Sequence, residues 1–421
     1  MTESGTRGKL LVLFVTAFVD MVGLTMILPL FPFYAKELGA SATVIGLLIA
    51  AFSLAQLLVA PVWGRFSDRY GRRPAILAGL LVTAAAYVLF AFAGTLVLLL
   101  LSRVIQGVGG GTIGVVQAYV ADASPAEGRT KSLGWLSAVT SLGAVAGPAF
   151  GSLMIALGGR SAPGLAAAAL AALVAIFAQR YLKESRVFTS SGSHGRIPRP
   201  TGRAAVLRIA THWGDPASRL IWIYAIGIGA FYGTGPTAPL LLAERFQITE
   251  HNVGYFIMYL GGMGVLIRWF LLGPLVDRLG EARLSRLGIV CLAAGLAATG
   301  LASRFPVLGL GFTLMPLGTA FLFPCVTGLL SREVSSRDRG FYMGLQHTFG
   351  GVSRVAFPVA AGFAMDRFGV GVPFWVAGVL VLLTLPLTRG MATGLQPAPA
   401  EQRLAAADVT GEIPVSGPPG S

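Results

Sequence analysis

Runs of roughly twenty apolar residues, separated by short polar turns, recur along almost the whole of this chain. A run of that length lets an α-helix cross the hydrocarbon core of a bilayer, where each backbone N–H and C=O must find its partner within the helix. The runs fall at 9–31, 43–63, 74–94, 96–120, 131–157 and 163–182. After a polar stretch they resume at 219–243, 252–276, 284–303, 306–330, 340–364 and 371–388. The expected fold is an all-α membrane protein with twelve transmembrane helices in two sets of six. Composition agrees, because 12% of the residues are charged, about half the share of a soluble domain. That excludes a water-soluble enzyme, and the high apolar content excludes a disordered chain. Two cysteines, Cys291 and Cys325, both in apolar runs, cannot make a disulfide framework. The first run follows Arg7 and Lys9, is longer than a signal-peptide core and precedes no small-residue cleavage site, so it reads as a span.

Orientation follows from lysine and arginine, which are retained on the cytoplasmic side. With the N-terminus inside, only Lys36, Arg160, Arg245, Arg304 and Arg367 fall in outer loops, and Arg103, Arg268 and Arg354 fall within spans. All other basic residues lie inside, so both termini are expected in the cytoplasm and the protein in the cell membrane. The net charge of +14 is then a topological bias with some attraction to lipid headgroups. No aromatic-interleaved basic patch suggests a nucleic-acid partner. Residues 1–182 are expected to form one six-helix bundle, 183–218 a cytoplasmic linker, 219–390 a second bundle and 391–421 a disordered tail. The linker carries Lys183, Arg186, Arg196, Arg199, Arg203 and Arg208, and its Ala204–Ile209 portion reads either as a short surface helix or as a solvated loop.

The loop after the second run reads Gly64-Arg65-Phe66-Ser67-Asp68-Arg69-Tyr70-Gly71-Arg72-Arg73-Pro74, and the loop after the eighth reads Gly273-Pro274-Leu275-Val276-Asp277-Arg278-Leu279-Gly280. Glycine, aspartate, arginine and glycine recur at the same offsets about 210 residues on, so the halves are duplicates. Two parallel six-helix repeats with a site between them near mid-membrane is the plan of a rocking transporter.

On these residues the chain resembles the major facilitator superfamily over nearly its whole length. The resemblance implies two pseudo-symmetric six-helix bundles and a cytoplasmic gate latched by Gly64, Asp68, Arg69, Gly71 and Arg72, with Asp122, Asp277 and Arg278. Asp68 suits a helix N-terminus or a neighbouring arginine, while the same arginines also serve as topology determinants. The fifth span contains Gly143, Gly147, Pro148 and Gly151, which is similar to the antiporter motif of drug:proton exporters. Pro148 removes a helix hydrogen bond and the glycines let a neighbour approach, so tight packing alone also accounts for them. Phe18-Val19-Asp20-Met21-Val22-Gly23, running to Leu28-Pro29-Leu30-Phe31-Pro32, and Ala121-Asp122 with Arg129 and Gly134-Trp135, resemble the tetracycline efflux branch. Unlike that branch, the ninth span, Leu284 to Ser303, has no acidic residue.

An ionisable group within a bilayer costs about 2.5–3.5 kcal/mol, so each one calls for a function. Asp20 is the carboxylate well inside a span and reads as a proton carrier. The resemblance sets Arg103 opposite it, either as a partner that comes and goes or as a permanent structural pair. Arg103, Gln106, Gly110, Gly114 and Gln117 share one narrow helical face that lines something wet or tightly packed. Arg268, Arg354 and His347 have no acidic partner in their half; His347 is a second proton candidate. If the arginines face the passage they suit an anionic or carbonyl-rich substrate; otherwise Arg268 snorkels and Arg354 bonds backbone carbonyls. Tyr224, Phe231, Tyr232, Tyr255, Tyr259, Phe321 and Phe323 could wall a hydrophobic ligand, Tyr232 and Tyr259 foremost. Substrate-binding residues are therefore expected among Gln106, Gln117, Tyr232, Tyr259, Arg268 and Arg354.

The expected function is secondary active transport: proton-coupled efflux of small amphiphilic compounds by alternating access, acting as a monomer. The alternative is a facilitator or symporter of a polar metabolite such as a sugar or organic anion. No His-Glu-x-x-His, Gly-x-Ser-x-Gly or phosphate-binding loop is present. The partners expected are the substrate, protons and the bilayer, with no enzyme activity, cofactor or metal.

Overall fold

The computed structural model describes residues 3–124, 129–182, 184, 202–212, 214–335 and 338–389. Among these no strand occurs, and nine helices are long and apolar enough to cross a membrane. The other three of the expected twelve spans are split, more polar or shorter. The seventh is split into Pro216–Thr234 and Thr237–Phe246, the eleventh, Arg339–Phe368, carries His347 and Arg354, and the twelfth is the short helix Val372–Leu382. Most of the expected linker and tail lie outside the described residues. The linker's helical alternative holds: Gly202–Thr211 is a helix, and Trp222 Nε1 donates to the Ile209 carbonyl at 3.0 Å, docking it on the second bundle.

Several spans break where the sequence shows one run. The first span runs Glu3–Ile27 and resumes at Phe31–Glu37 beyond Pro29, which cannot continue a hydrogen-bond ladder. The fourth is Leu96–Gly110 followed by Ile113–Ala123. Two second-span side chains bond carbonyls at this break: Trp63 Nε1 donates to Val108 O at 2.7 Å and Gln56 Nε2 to Gly110 O at 3.1 Å. Away from water, irregular backbone survives only with such partners.

Spans one to six, including Ala42–Tyr70, Arg72–Ala91, Arg129–Gly158 and Ala162–Tyr181, pack on one another. Spans seven to twelve, including Glu250–Ile267, Glu281–Leu301 and Phe305–Glu333, do the same. The bundles meet chiefly along two helix pairs, the second span with the eleventh and the fifth with the eighth, and also where Phe31–Glu37 of the first span touches Thr237–Phe246 of the seventh. We call the face bearing Arg69–Arg73 the basic face and its opposite the far face. One apolar cluster crosses between bundles, joining Met26, Phe31 and Ile45 to Leu240, Val253 and Met365, and it occupies the far half. The other clusters each stay within one bundle.

The far-face seal is made by backbone. A methyl group on Gly46 would collide with the Pro358 carbonyl, one on Gly362 with the Ala42 carbonyl, and one on Gly254 with the Pro148 carbonyl. Small residues allow such approach where lipid offers no hydrophobic drive to association. Pro148 and Pro358 are about 210 residues apart, as are Gly46 and Gly254, so one contact is built twice. Ser152 adds two bonds, donating to Glu250 O at 2.7 Å and accepting from Gly254 N at 3.0 Å. Asp366 of the eleventh span caps the second: its carboxylate accepts from Ala42 N at 2.9 Å, Thr43 N at 2.8 Å and the Thr43 hydroxyl at 2.6 Å. Toward the basic face, the bundles share no hydrogen bond or ion pair among the described residues.

Burial tends to raise the Asp366 carboxyl, but the hydrogen bonds from Thr43, Ala42 and Ser41 outweigh it and hold the group below the usual carboxylate range. A carboxyl whose pKa is depressed in the sealed state stabilises that state above its ordinary pKa, and loses the effect as pH falls through the depressed value. Far-face closure should thus be constant over the neutral range and weaken only below about pH 4, which crosslinking of far-face cysteine pairs at graded pH would measure. Gly254→Leu should disfavour the seal by about 1–3 kcal/mol, read as faster labelling of a cysteine at Thr43. Unchanged labelling would mean that these helices have room to spare.

Candidate functional site

A cavity of about 650 Å³ opens within the basic-face half of the first bundle, walled by the first, third, fourth and fifth spans. Its polar lining is Thr16, Asp20, Thr112, Gln117, Ser137 and Thr140, among apolar residues that include Met21, Ile76 and Leu80. The hydroxyls of Thr16 and Thr140 bond carbonyls of their own helices. Asp20 forms no hydrogen bond or ion pair among the described residues, so its carboxyl is available to a proton, water or solute in the cavity.

Arg103 does not pair with Asp20. Its guanidinium lies against two neighbouring rings, Phe31, 4.8 Å from the ring centroid, and Phe90, at 5.3 Å, where aromatic faces partly replace water around the charge. Gln106 likewise does not reach the cavity. Arg103, Gln106 and Tyr87 are 2%, 1% and 1% exposed, and the Arg103 Nε and Nη2, both Gln106 amide atoms and the Tyr87 hydroxyl lack hydrogen-bond partners. The helix break at Gly111–Thr112 explains the mismatch. It ends the continuous wheel, burying Arg103 and Gln106 while Gly114 and Gln117 beyond the break line the cavity.

In the second bundle, Arg354, Tyr232, Tyr224 and His347 form one group. Arg354 lies 5.7 Å from the Tyr232 ring centroid and His347 meets Tyr224 edge-on at 6.3 Å. Arg354 Nε contacts the Gly350 carbonyl of its own helix at 3.4 Å. Arg268 begins a π-helical turn, Arg268–Leu272, in the eighth span, a distortion frequent at functional sites. Tyr259 does not join the group: nine residues from Arg268 is about half a turn around the helix, and its hydroxyl is bonded to Thr313 Oγ1 at 2.8 Å. Phe321 is buried in the core, and Phe323 packs on Tyr224.

At the basic face, Gly71 has φ 105° and no room for a Cβ beside the Glu184 carboxylate. That carboxylate caps the third span through Arg72 N at 2.9 Å and Arg73 N at 3.0 Å. Arg72 bonds Asp68 at 2.9 Å, the Ser67 hydroxyl at 2.7 Å and Asp122, at the end of the fourth span, at 3.3 Å. Arg69 lies over Tyr70, and nothing stands within 4 Å of a Cβ on Gly64. The second bundle repeats the arrangement with polarity reversed, Glu281 pairing with Arg332 at the end of the tenth span at 2.7 Å. Arg129 donates to Ala121 O at 3.1 Å and Arg339 to Ser331 O at 2.9 Å, again duplicates. Asp277 and Arg278 are in no ion pair among the described residues. Gly143, Gly147 and Gly151 press on the first span at Phe18, Val22 and Met26, whereas Pro148 and Ser152 face the eighth.

Two helical bundles sealed on one face, with polar groups lining the space between and within them, define a transporter. A family model described as Major Facilitator Superfamily matches residues 13–271 and 220–411, and the chain belongs to that superfamily. It is 30% identical to tetracycline resistance protein, class G, of Vibrio anguillarum, over 90% of this chain and 96% of that protein. It is 29% identical to multidrug resistance protein 2 of Bacillus subtilis, over 90% and 94%. The crystal structure of the human organic anion transporter MFSD10 (TETRAN) superposes with a TM-score of 0.66 at 24% identity, covering 92% of this chain and all of that one, a likeness of fold. The protein is thus a multi-pass membrane transporter of that superfamily.

Single cysteines introduced at Asp20 and Gln117 should react with a water-soluble maleimide, and one at Gln106 should react far more slowly. Equal rates at all three positions would place Gln106 in the cavity after all.

Proposed function

We propose that this chain exports small amphiphilic compounds in exchange for protons by alternating access, and that its structure is the state open to the cytoplasm. The basic face is then cytoplasmic, with both termini on that side of the cell membrane, a reading that the distribution of lysine and arginine supports. The observation that carries the reading is the combination of a backbone-tight far face with an Asp20 that has no partner among the described residues, in a cavity toward the basic face. An exporter collects its cargo from the cytoplasm, and the carboxyl that must lose its proton there needs a route to water. The names of the tetracycline and multidrug resistance relatives support the drug-type cargo.

Reorientation requires the seals to alternate. Breaking the far face means withdrawing Pro148 from Gly254, Pro358 from Gly46 and Asp366 from the N-terminus of the second span. Closing the basic face falls to the Asp68–Arg72–Asp122 network and its counterpart around Asp277 and Glu281. One chain holds the whole passage, so it acts as a monomer. Arg103, lacking a carboxylate partner, contributes a fixed positive charge near the first-span break, and proton transfer rests on Asp20 with His347 as a second candidate.

Asp20→Asn should abolish uphill efflux from proteoliposomes driven by a pH gradient, while substrate counterflow remains measurable. Full uphill activity in that variant would remove Asp20 as the carrier. Asp68→Asn should slow turnover about tenfold by disfavouring one end state by about 1.4 kcal/mol, with little change in affinity. Unaltered turnover would mean that the loop takes no part in gating.

A further inference from the structure

We infer that the second bundle carries an organic-anion site in which Arg354, lying against Tyr232, holds a carboxylate or sulfonate of the cargo, with Arg268 adding positive charge from the eighth span. The inference rests on the export reading for its route and deepens it by naming the charge of the substrate.

Both arginines lie on helix faces turned to the inter-bundle surface, Arg354 about one turn inside the seal and Arg268 about four turns inside it. On the eighth span, Gly254 meets Pro148 and Gly261 meets Val145 of the first bundle. Arg268 lies two turns beyond Gly261, about 20° from it around the helix, so it shares the face turned to the first bundle. On the eleventh span, Gly351 meets Leu57 and Pro358 meets Gly46. Arg354 lies between these contacts, one turn toward the basic face from Pro358 and near the middle of Arg339–Phe368. Tyr232, 46% exposed, has Arg354 against its ring, and Arg268 faces the same gap from the eighth span.

Neither guanidinium has a carboxylate partner among the described residues; Arg268 makes no hydrogen bond there, and Arg354 has one bond, to its own helix. Two unneutralised cations at this depth are costly, and removing that cost is what a bound anion does. A guanidinium offers a planar fork that matches a carboxylate or sulfonate with two hydrogen bonds. The rings of Tyr232 and Tyr224 beside it suit an aromatic body attached to that anion. A cationic amphiphile would meet repulsion from the same groups. An anionic lipid headgroup has the required chemistry too, so the test must separate it from the cargo.

The probes are carboxyfluorescein and rhodamine 6G, which share a xanthene core and differ in charge. Their binding to the full chain is followed by fluorescence anisotropy in phosphatidylcholine nanodiscs. Carboxyfluorescein is expected to bind more tightly. Arg354→Gln and Arg268→Gln should each raise its Kd about tenfold or more, Arg354→Lys less so, and rhodamine 6G binding should be unchanged or improved, which also reports that the variants fold. Tighter binding of the cation, or unchanged carboxyfluorescein affinity in both glutamine variants, would overturn the proposal. So would loss of dye binding in phosphatidylglycerol nanodiscs, which would assign the site to lipid. If carboxyfluorescein binds in an Arg354-dependent way yet neither dye moves under a pH gradient, the anion site stands and the export reading falls.

Discussion

The contact on which this architecture depends is helix backbone against helix backbone at the far face. In a bilayer, apolar side chains gain little by leaving lipid for one another, so two bundles cohere only where small residues bring main chains together and polar groups find partners. Gly46 against Pro358, and Gly254 against Pro148, meet that requirement twice. Because the contact is short and stiff, it is either made or broken, which is the behaviour a two-state carrier needs. The glycines of the fifth span hold that helix on the first, while Pro148 and Ser152 turn to the other bundle. A motif first read as one packing face thus serves two neighbours at once.

Charges inside the membrane are sorted by the company they keep. Arg103 is enclosed by Phe31 and Phe90 and helps fix the broken first span to the third and fourth. Asp20 faces a cavity and has no fixed partner among the described residues, while Arg268 and Arg354 border the gap between bundles. The enclosed cation is a structural part, and the groups beside open space are the ones to which the proposed exchange of protons and solutes falls. At the basic face, carboxylates and guanidiniums cap helix ends or clamp one span to the next, as Glu184, Arg72 and Asp122 do.

Length and hydropathy made the membrane class and the six-plus-six plan legible, and the repeated Gly-x3-Asp-Arg-x-Gly turns revealed the duplication. Much of the candidate site was hidden because helix breaks leave weak marks: Gly111–Thr112 has no proline, yet it separates buried Arg103 and Gln106 from cavity-lining Gln117. The Arg72–Asp122 and Glu281–Arg332 pairs also escaped notice, since a repeat search matches residue types and these have exchanged charge. Asp366 did leave a signal. Asp366-Arg367-Phe368-Gly369 copies the basic-face turn, down to a glycine at φ 102°, and could have been found by asking for the motif outside its usual loops. Tyr232 and Tyr259 looked alike in sequence; only the packing of their helices set one beside Arg354 and the other on Thr313.

The unneutralised Arg268 and Arg354 bear on the energetics of the whole cycle. They belong to the protein and complete no net transfer, so a monovalent anion released outside carries its own negative charge across the membrane. If one proton returns in exchange, two elementary charges move in the sense favoured by an inside-negative voltage, worth about 4.6 kcal/mol per 100 mV. An electrogenic exporter of that kind would keep working against a gradient of its cargo when the internal and external pH are equal.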